Sequence, residues 1–192
     1  YKNVTDSIRY AKRLQESILP PDKRIKELLP ESFVLYRPKD IVSGDFYWVE
    51  EVGGKVVFAA VDCTGHGVPG AFMSLVGHNG LNQAVKERGN TRPSDVLHDL
   101  DRISFEALHK DRDQFMRDGM DMALCALDPQ RMVLEYAGAN CPLYLVRGDA
   151  IEQYTPDKRP IGGADPGGKR FTDHRIHLRK GDLVYIFSDG YA

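Results

Sequence analysis

The stretch KVVFAAVDCTGHGVPGAFM, residues 55 to 73, changes its period halfway along, and that change sets the fold. Val56 to Val61 is an unbroken apolar run, matched in length by Met122–Leu127. It is far short of the ~20 residues that span a bilayer and suits a buried strand. Asp62 ends the run, and Cys63-Thr64-Gly65-His66-Gly67 follows as a glycine-bounded loop. Pro69 then stands near the first turn of a helix expected over 69–87, with Gly89 just past its end. An acid, a loop and a helix N-terminus therefore meet, and a helix N-terminus favours phosphate. The Lys-Ser/Thr pair of a Walker loop does not follow.

Upstream, Val52-Gly53-Gly54 predicts a hairpin between strands at Phe46–Glu50 and Lys55–Val61. A further strand is expected at Phe33–Arg37, after a charged connector over 22–31. Residues 1–19 read as a helix stopped by Pro20-Pro21. Its seam is Val4, Ile8, Ala11 and Ile18, with Gln15 in the remaining position. Two heptads do not establish a coiled coil. A helix docked on its own domain and the end of a longer dimeric signalling helix both stay open.

Downstream, Ser94 is the expected N-cap of a helix over 94–109 with an apolar stripe of Val96, Leu97, Leu100, Ile103 and Ala107. Asp95, Asp99 and Asp101 are expected on its wet face. Strands follow at Met122–Leu127, Met132–Ala137, Leu143–Arg147, Phe171–Leu178 and Leu183–Phe187, with a loop over 160–170. Strands, two helices, then more strands predict an α+β fold with helices segregated onto antiparallel sheets.

The composition is that of a soluble globular domain: 192 residues, 42% hydrophobic, 28% charged, net charge -2. That balance excludes wholesale nucleic-acid or membrane binding, and a nuclease would want a basic stripe that is not there. Cys63, Cys125 and Cys141 form no C-x-x-C pair. Cys125 and Cys141 read as small buried hydrophobes, and the sparse odd count fits a reducing cytoplasm. The chain opens on Tyr1 and ends at Ala192, two residues after an Asp-Gly pair, so a piece of a longer protein is expected.

Three aspartates share one local pattern. Asp45 lies in Ser43-Gly44-Asp45-Phe46-Tyr47 at a strand start, Asp62 ends one apolar strand, and Asp189 follows another and precedes Gly190. One strand-end Asp-Gly pair is an ordinary turn. Three predict a cleft in which carboxylates converge, the donors that Mg²⁺ and Mn²⁺ prefer. Such a set could hold two ions about 3.5–4 Å apart with an acidified water between them. Arg37 and Lys39, just upstream of Asp45, are candidate substrate-phosphate donors. A solvated strand end is the plainer reading of the same pair. His174 and His177, three apart in a strand, point to opposite faces and do not share a metal. His78, His98 and His109 sit on expected helices without ligand spacing.

Ser43-Gly44-Asp45-Phe46-Tyr47, the run Val61 to Ala71, Ala137-Gly138-Ala139-Asn140-Cys141-Pro142-Leu143 and Phe187-Ser188-Asp189-Gly190, in that order and spacing, resemble the SpoIIE-like branch of the metal-dependent (PPM, type 2C-like) serine/threonine protein phosphatases. The resemblance runs from about residue 33 to the end. It implies a four-layer αββα sandwich of two antiparallel sheets flanked by helices. It implies two Mn²⁺ or Mg²⁺ ions and hydrolysis of phosphoserine or phosphothreonine by metal-activated water, without a phosphoenzyme. By position, Asp62 matches the acid bridging both metals, Cys63 lends a backbone carbonyl, and Asp45 and Asp189 match the flanking acids. Asp118 and Asp121, beside Gly119, are candidates for a further, weaker ion, with loop solvation as the plain alternative. His66 does not keep the spacing of the histidine in eukaryotic relatives and is expected to shape its loop. The family uses one more C-terminal acid that these residues do not include, so an incomplete metal site is expected here.

The expected organisation is an N-terminal linker or signalling helix over 1–21 and a phosphatase domain over 22–192. The expected substrate is a phosphoprotein, by resemblance a regulator of the anti-sigma-factor-antagonist kind, with a homodimer through the N-terminal helix and no nucleic acid. A cytoplasmic location is expected, with tethering through an upstream sensor left open. The rival reading is a phosphatase-like binding or sensing module without catalysis.

Overall fold

The computed structural model describes residues 2–108, 118–163 and 169–191. Tyr1 of the expected first helix, His109 of the second long one and 164–168 of the expected loop lie outside these. The elements are α1 (Lys2–Ile18), α2 (Asp22–Leu28), β1 (Phe46–Val52), β2 (Lys55–Cys63), α3 (Gly67–Leu81), α4 (Pro93–Leu108), β3 (Met120–Asp128), β4 (Val133–Ala139), β5 (Leu143–Arg147), β6 (Ala150–Tyr154), β7 (His174–His177) and β8 (Leu183–Ile186).

Two antiparallel sheets form, with strand orders β1-β2-β3-β4-β7 and β6-β5-β8. With the helices they make the expected α+β architecture of stacked sheets. Alternation along each strand divides the core in two. Val57, Ala59 and Val61 of β2 and Met120, Met122 and Leu124 of β3 join Leu81, Leu97 and Leu100 of α3 and α4. The opposite faces supply Ala123, Cys125, Leu134 and Tyr136, which pack against Leu143 and Leu145 of the smaller sheet. Tyr136 is buried because its hydroxyl donates to the Cys141 carbonyl at 2.7 Å. Each fully buried leucine stabilises by roughly 1.5–3 kcal/mol, so these two layers fix the sheet stacking.

Several expectations are corrected. Residues 22–28 of the charged connector are helical, with Ile25 buried against Val49 and Val56. Phe33–Arg37 is no strand: it finds no strand partner among the described residues, and Phe33 stays 74% exposed. α3 starts at Gly67 and passes into a π-helical stretch at Asn82–Glu87. α4 starts at Pro93, so Ser94 is not its cap; Asp173 accepts from the Ser94 N–H at 2.8 Å and from its hydroxyl at 2.6 Å. Asp101 leaves the expected wet face altogether: it is 1% exposed, accepting from Arg159 Nη1 at 3.0 Å and from the Gly162 N–H at 2.7 Å. Cys63, Cys125 and Cys141 are buried free thiols.

Candidate active site

The strand register builds the site. Asp62 faces Asp121 directly across β2 and β3, and Phe46 faces Val61, so Asp45 follows in line on the far side of Asp62. Asp62 and Asp121, on neighbouring strands, and Asp45, just before β1, thus fall in a row. They share the parity of Tyr47, Phe58 and Cys125, so they point between the sheets.

Asp189 closes the row from the other sheet. It opens a 3₁₀ turn after β8, and its N–H donates to Asp62 Oδ2 at 3.3 Å. The preceding Ser188 hydroxyl donates to Asp45 Oδ2 at 2.7 Å. Asn140, held at φ 59° between β4 and β5, donates its amide to Asp121 Oδ1 at 2.7 Å. Asp45, Asp62 and Asp189, singled out in the sequence, are therefore brought together, and Asp121 joins them.

The loops carrying these acids are pressed against one another. A Cβ on Gly44 would lie 2.8 Å from the Gly65 carbonyl and 3.0 Å from the Cys63 carbonyl. A Cβ on Gly70 would lie 2.5 Å from the same Gly65 oxygen. Only glycine permits both approaches. Thr64 fixes the other flank, its N–H and hydroxyl both meeting the Gly119 carbonyl at 2.9 Å.

Crowding shows in the electrostatics. Burial, then Asp45, then Asp189 push the Asp62 carboxyl from 3.8 up to about 7. Burial also raises Asp121, with the Asn140 bond opposing it and Asp189 adding to it. The Cys63 thiol is raised well above its ordinary value, first by burial, then by Asp45 and Asp62, which keeps it protonated. The donor set is carboxylate and carbonyl oxygen, the chemistry of hard divalent cations, and a cation would relieve the repulsion that raises Asp62. In that chemical sense the residues fit Mg²⁺ or Mn²⁺. Among the described residues no three side chains are drawn together into a ready-made ion cage.

The remaining candidates lie apart. Arg37 and Lys39 are exposed on the irregular stretch before Asp45, with no ion pair among the described residues. His66 is exposed and bonds Asp40 at 3.0 Å, fitting a role in its loop. Asp118 is half-buried beside Gly119. Ser188, Asn140 and Thr64 escaped the reading of single residues, although Ser188 and Asn140 lie inside quoted motifs.

Residues 52–192 match the family model described as Stage II sporulation protein E (SpoIIE). Phosphoserine phosphatase RsbU of Bacillus subtilis (strain 168) is 26% identical over 192 residues, 98% of this chain and 54% of that protein. The chain thus spans about half the length of this curated relative. The SiaA-PP2C domain of Pseudomonas aeruginosa superposes with a TM-score of 0.87 at 31% identity, covering 99% of this chain and 73% of that one. The PP2C phosphatase domain and regulatory fragment of the Bacillus subtilis cell-fate determinant SpoIIE shares the fold, with a TM-score of 0.60 at 21% identity over 74% of this chain and 40% of that one. An acid row at the mouth of two stacked sheets, in the motif order seen above, is thus found in a chain that belongs to the SpoIIE family, among the PP2C-type protein serine/threonine phosphatases.

Proposed function

We propose that this chain is the catalytic output domain of a bacterial signalling protein and hydrolyses phosphoserine or phosphothreonine on a regulatory protein. One observation carries the reading. Asp45, Asp62 and Asp189 come from three separate segments and two sheets, yet converge at one end of the sandwich, where Asp62 is pushed up to about 7.

Asp62, central in the row, would hold the Mn²⁺ or Mg²⁺ ions, two by resemblance to the family, together with Asp45, Asp189 and the Cys63 carbonyl. Bound there, the ions would supply Lewis acidity toward the phosphoryl oxygens and lower the pKa of a water. The chain orients the donors. Ser188 holds Asp45, the Asp189 N–H holds Asp62, and the glycine contacts at Gly44 and Gly70 keep the two loops in register. Arg37 and Lys39 are free to meet a substrate phosphate. The buried, protonated Cys63 leaves no thiolate for covalent catalysis.

The phosphoserine named for RsbU and the family resemblance support a phosphoprotein substrate of the anti-sigma-factor-antagonist kind. Val4 of α1 lies beside the exposed Phe72 of α3, and Tyr10 and Leu14 leave further apolar surface on α1. That surface supports a homodimer paired through α1, which would then serve as the linker helix to a sensor. A cytoplasmic location accords with the three free thiols.

Rapid quenching with a labelled phosphoserine protein tests the chemistry. Phosphate release is expected to need Mn²⁺ or Mg²⁺, to stop with chelator and to trap no labelled enzyme. Label retained on any side chain would mean a covalent route instead.

A further inference from the structure

Gln15 is a polar residue in an otherwise apolar seam. It is 5% exposed, and its amide is fully used. The oxygen accepts the Ser43 N–H at 2.9 Å. The nitrogen donates to the Ser43 carbonyl at 2.5 Å and to the Ser74 hydroxyl at 2.9 Å. Ser74 in turn donates to the Ala71 carbonyl at 2.8 Å, so its oxygen is the acceptor for Gln15. One side chain on α1 thus holds both backbone groups of Ser43 and a residue of α3.

The grip is close to the acids. The Ser43 hydroxyl accepts the Asp45 N–H at 3.0 Å. Gly44, between them, is wedged against the Cys63 and Gly65 carbonyls, and a Cβ on Gly70 would stand 3.0 Å from the Gly44 Cα. Ser43 has no slack: moving it shifts Asp45 directly and pushes Gly44 into the loop of Cys63. A leucine would fill nearly the same volume at the seam. What the amide adds is direction, because its two ends fix where the Ser43 peptide lies.

We propose that Gln15 is a positioning residue for this site, setting the relative placement of the Asp45 carboxylate and the Cys63 carbonyl from outside the sheets. Withdrawal or rotation of α1 would remove the amide, leave the Ser43 N–H and carbonyl unpaired, and release both donor-bearing loops together. The helix is thereby a control point for the site and more than a docked appendage. This rests on the reading of Asp45 and Cys63 as cation donors.

The test uses the full-length protein, with Gln15→Leu, Gln15→Glu and Ser74→Ala, and Val96→Ala as a core truncation that loses stability without touching the clamp. Hydrogen exchange of the metal-free protein and the Mn²⁺ dissociation constant by calorimetry are measured together. Gln15→Leu is expected to speed exchange at 42–46 and at 63–70 and to weaken Mn²⁺ binding by roughly tenfold or more, as loss of a ligand-orienting residue does. Gln15→Glu, which keeps the acceptor for the Ser43 N–H, and Ser74→Ala should shift both readouts less, in the same direction. Val96→Ala should move neither beyond its general loss of stability. If Gln15→Leu fails to fold, the other two variants decide. Faster exchange confined to α1, with Mn²⁺ affinity within about twofold of wild type, would overturn the proposal. A full-length wild-type protein that binds no Mn²⁺ would instead overturn the functional reading, and the exchange data would still decide whether Gln15 holds the two loops.

Discussion

Asp62 pays an electrostatic cost for its position. Its carboxyl is raised from 3.8 to about 7 by burial and by Asp45 and Asp189. A carboxyl raised in the folded state favours folding when protonated. Its stabilising contribution is complete below about pH 4 and is lost as pH rises through about 7. Asp62→Asn should therefore melt higher than wild type in chelator at about pH 8, with the gap shrinking toward about pH 4. Thermal melts across that range check it, and a gap that does not change with pH would contradict the stated cause. The three acids were legible because each stands at a strand end beside glycine. Their partners were not. Ser188 meets Asp45 across 143 positions, Gln15 meets Ser43 across 28 and Asn140 meets Asp121 across 19. No local pattern announces contacts made only when distant segments fold together.

At the scale of elements, α3 is unusual because glycine lets it lie close to the sheet. A Cβ on Gly77 would stand 2.5 Å from the Met120 sulfur and 2.9 Å from the Phe46 ring. Gly77→Ala should destabilise by about 1–3 kcal/mol despite the better helix propensity of alanine, read by urea unfolding. A neutral or stabilising result would show that the helix can back away from the sheet. The same scale shows what sequence could not specify. β6 pairs with β5 through the Gly148-Asp149 turn, but Ala150-Ile151-Glu152-Gln153-Tyr154 faces water and carries little apolar signal. Phe33–Arg37 carries that signal and finds no strand partner among the described residues. Asp101 looked solvated by helical spacing, and only the loop at Arg159–Gly162, folded onto α4, makes it a buried acceptor. By contrast, β1, β2, β5 and β8 fall where turns and apolar runs put them, within two residues at each end.

At the scale of the molecule, two sheets frame one candidate site: Asp62 and Asp121 from the five-stranded sheet, Asp45 just before β1 and Asp189 in the turn after β8. The α+β class was readable from the order of strands and helices. The closure of the acid row was not, because it depends on how the sheets stack. α1 packs on α3, and if it pairs two copies, Ile8→Asp with Ile18→Asp in the full-length protein should change oligomeric state and phosphatase rate together. Sedimentation and phosphate release report both. No change in either would mean that α1 serves its own domain alone.

The most direct measurement is phosphate release from a phosphoserine protein by the full-length protein with saturating Mn²⁺, wild type against Asp62→Asn. The account predicts that the variant loses hydrolysis, because a neutral amide cannot bridge two cations, while Asp45→Asn and Asp189→Asn keep weakened turnover with poorer Mn²⁺ affinity. Hydrolysis at the wild-type rate by Asp62→Asn, or by wild type in chelator, would contradict it.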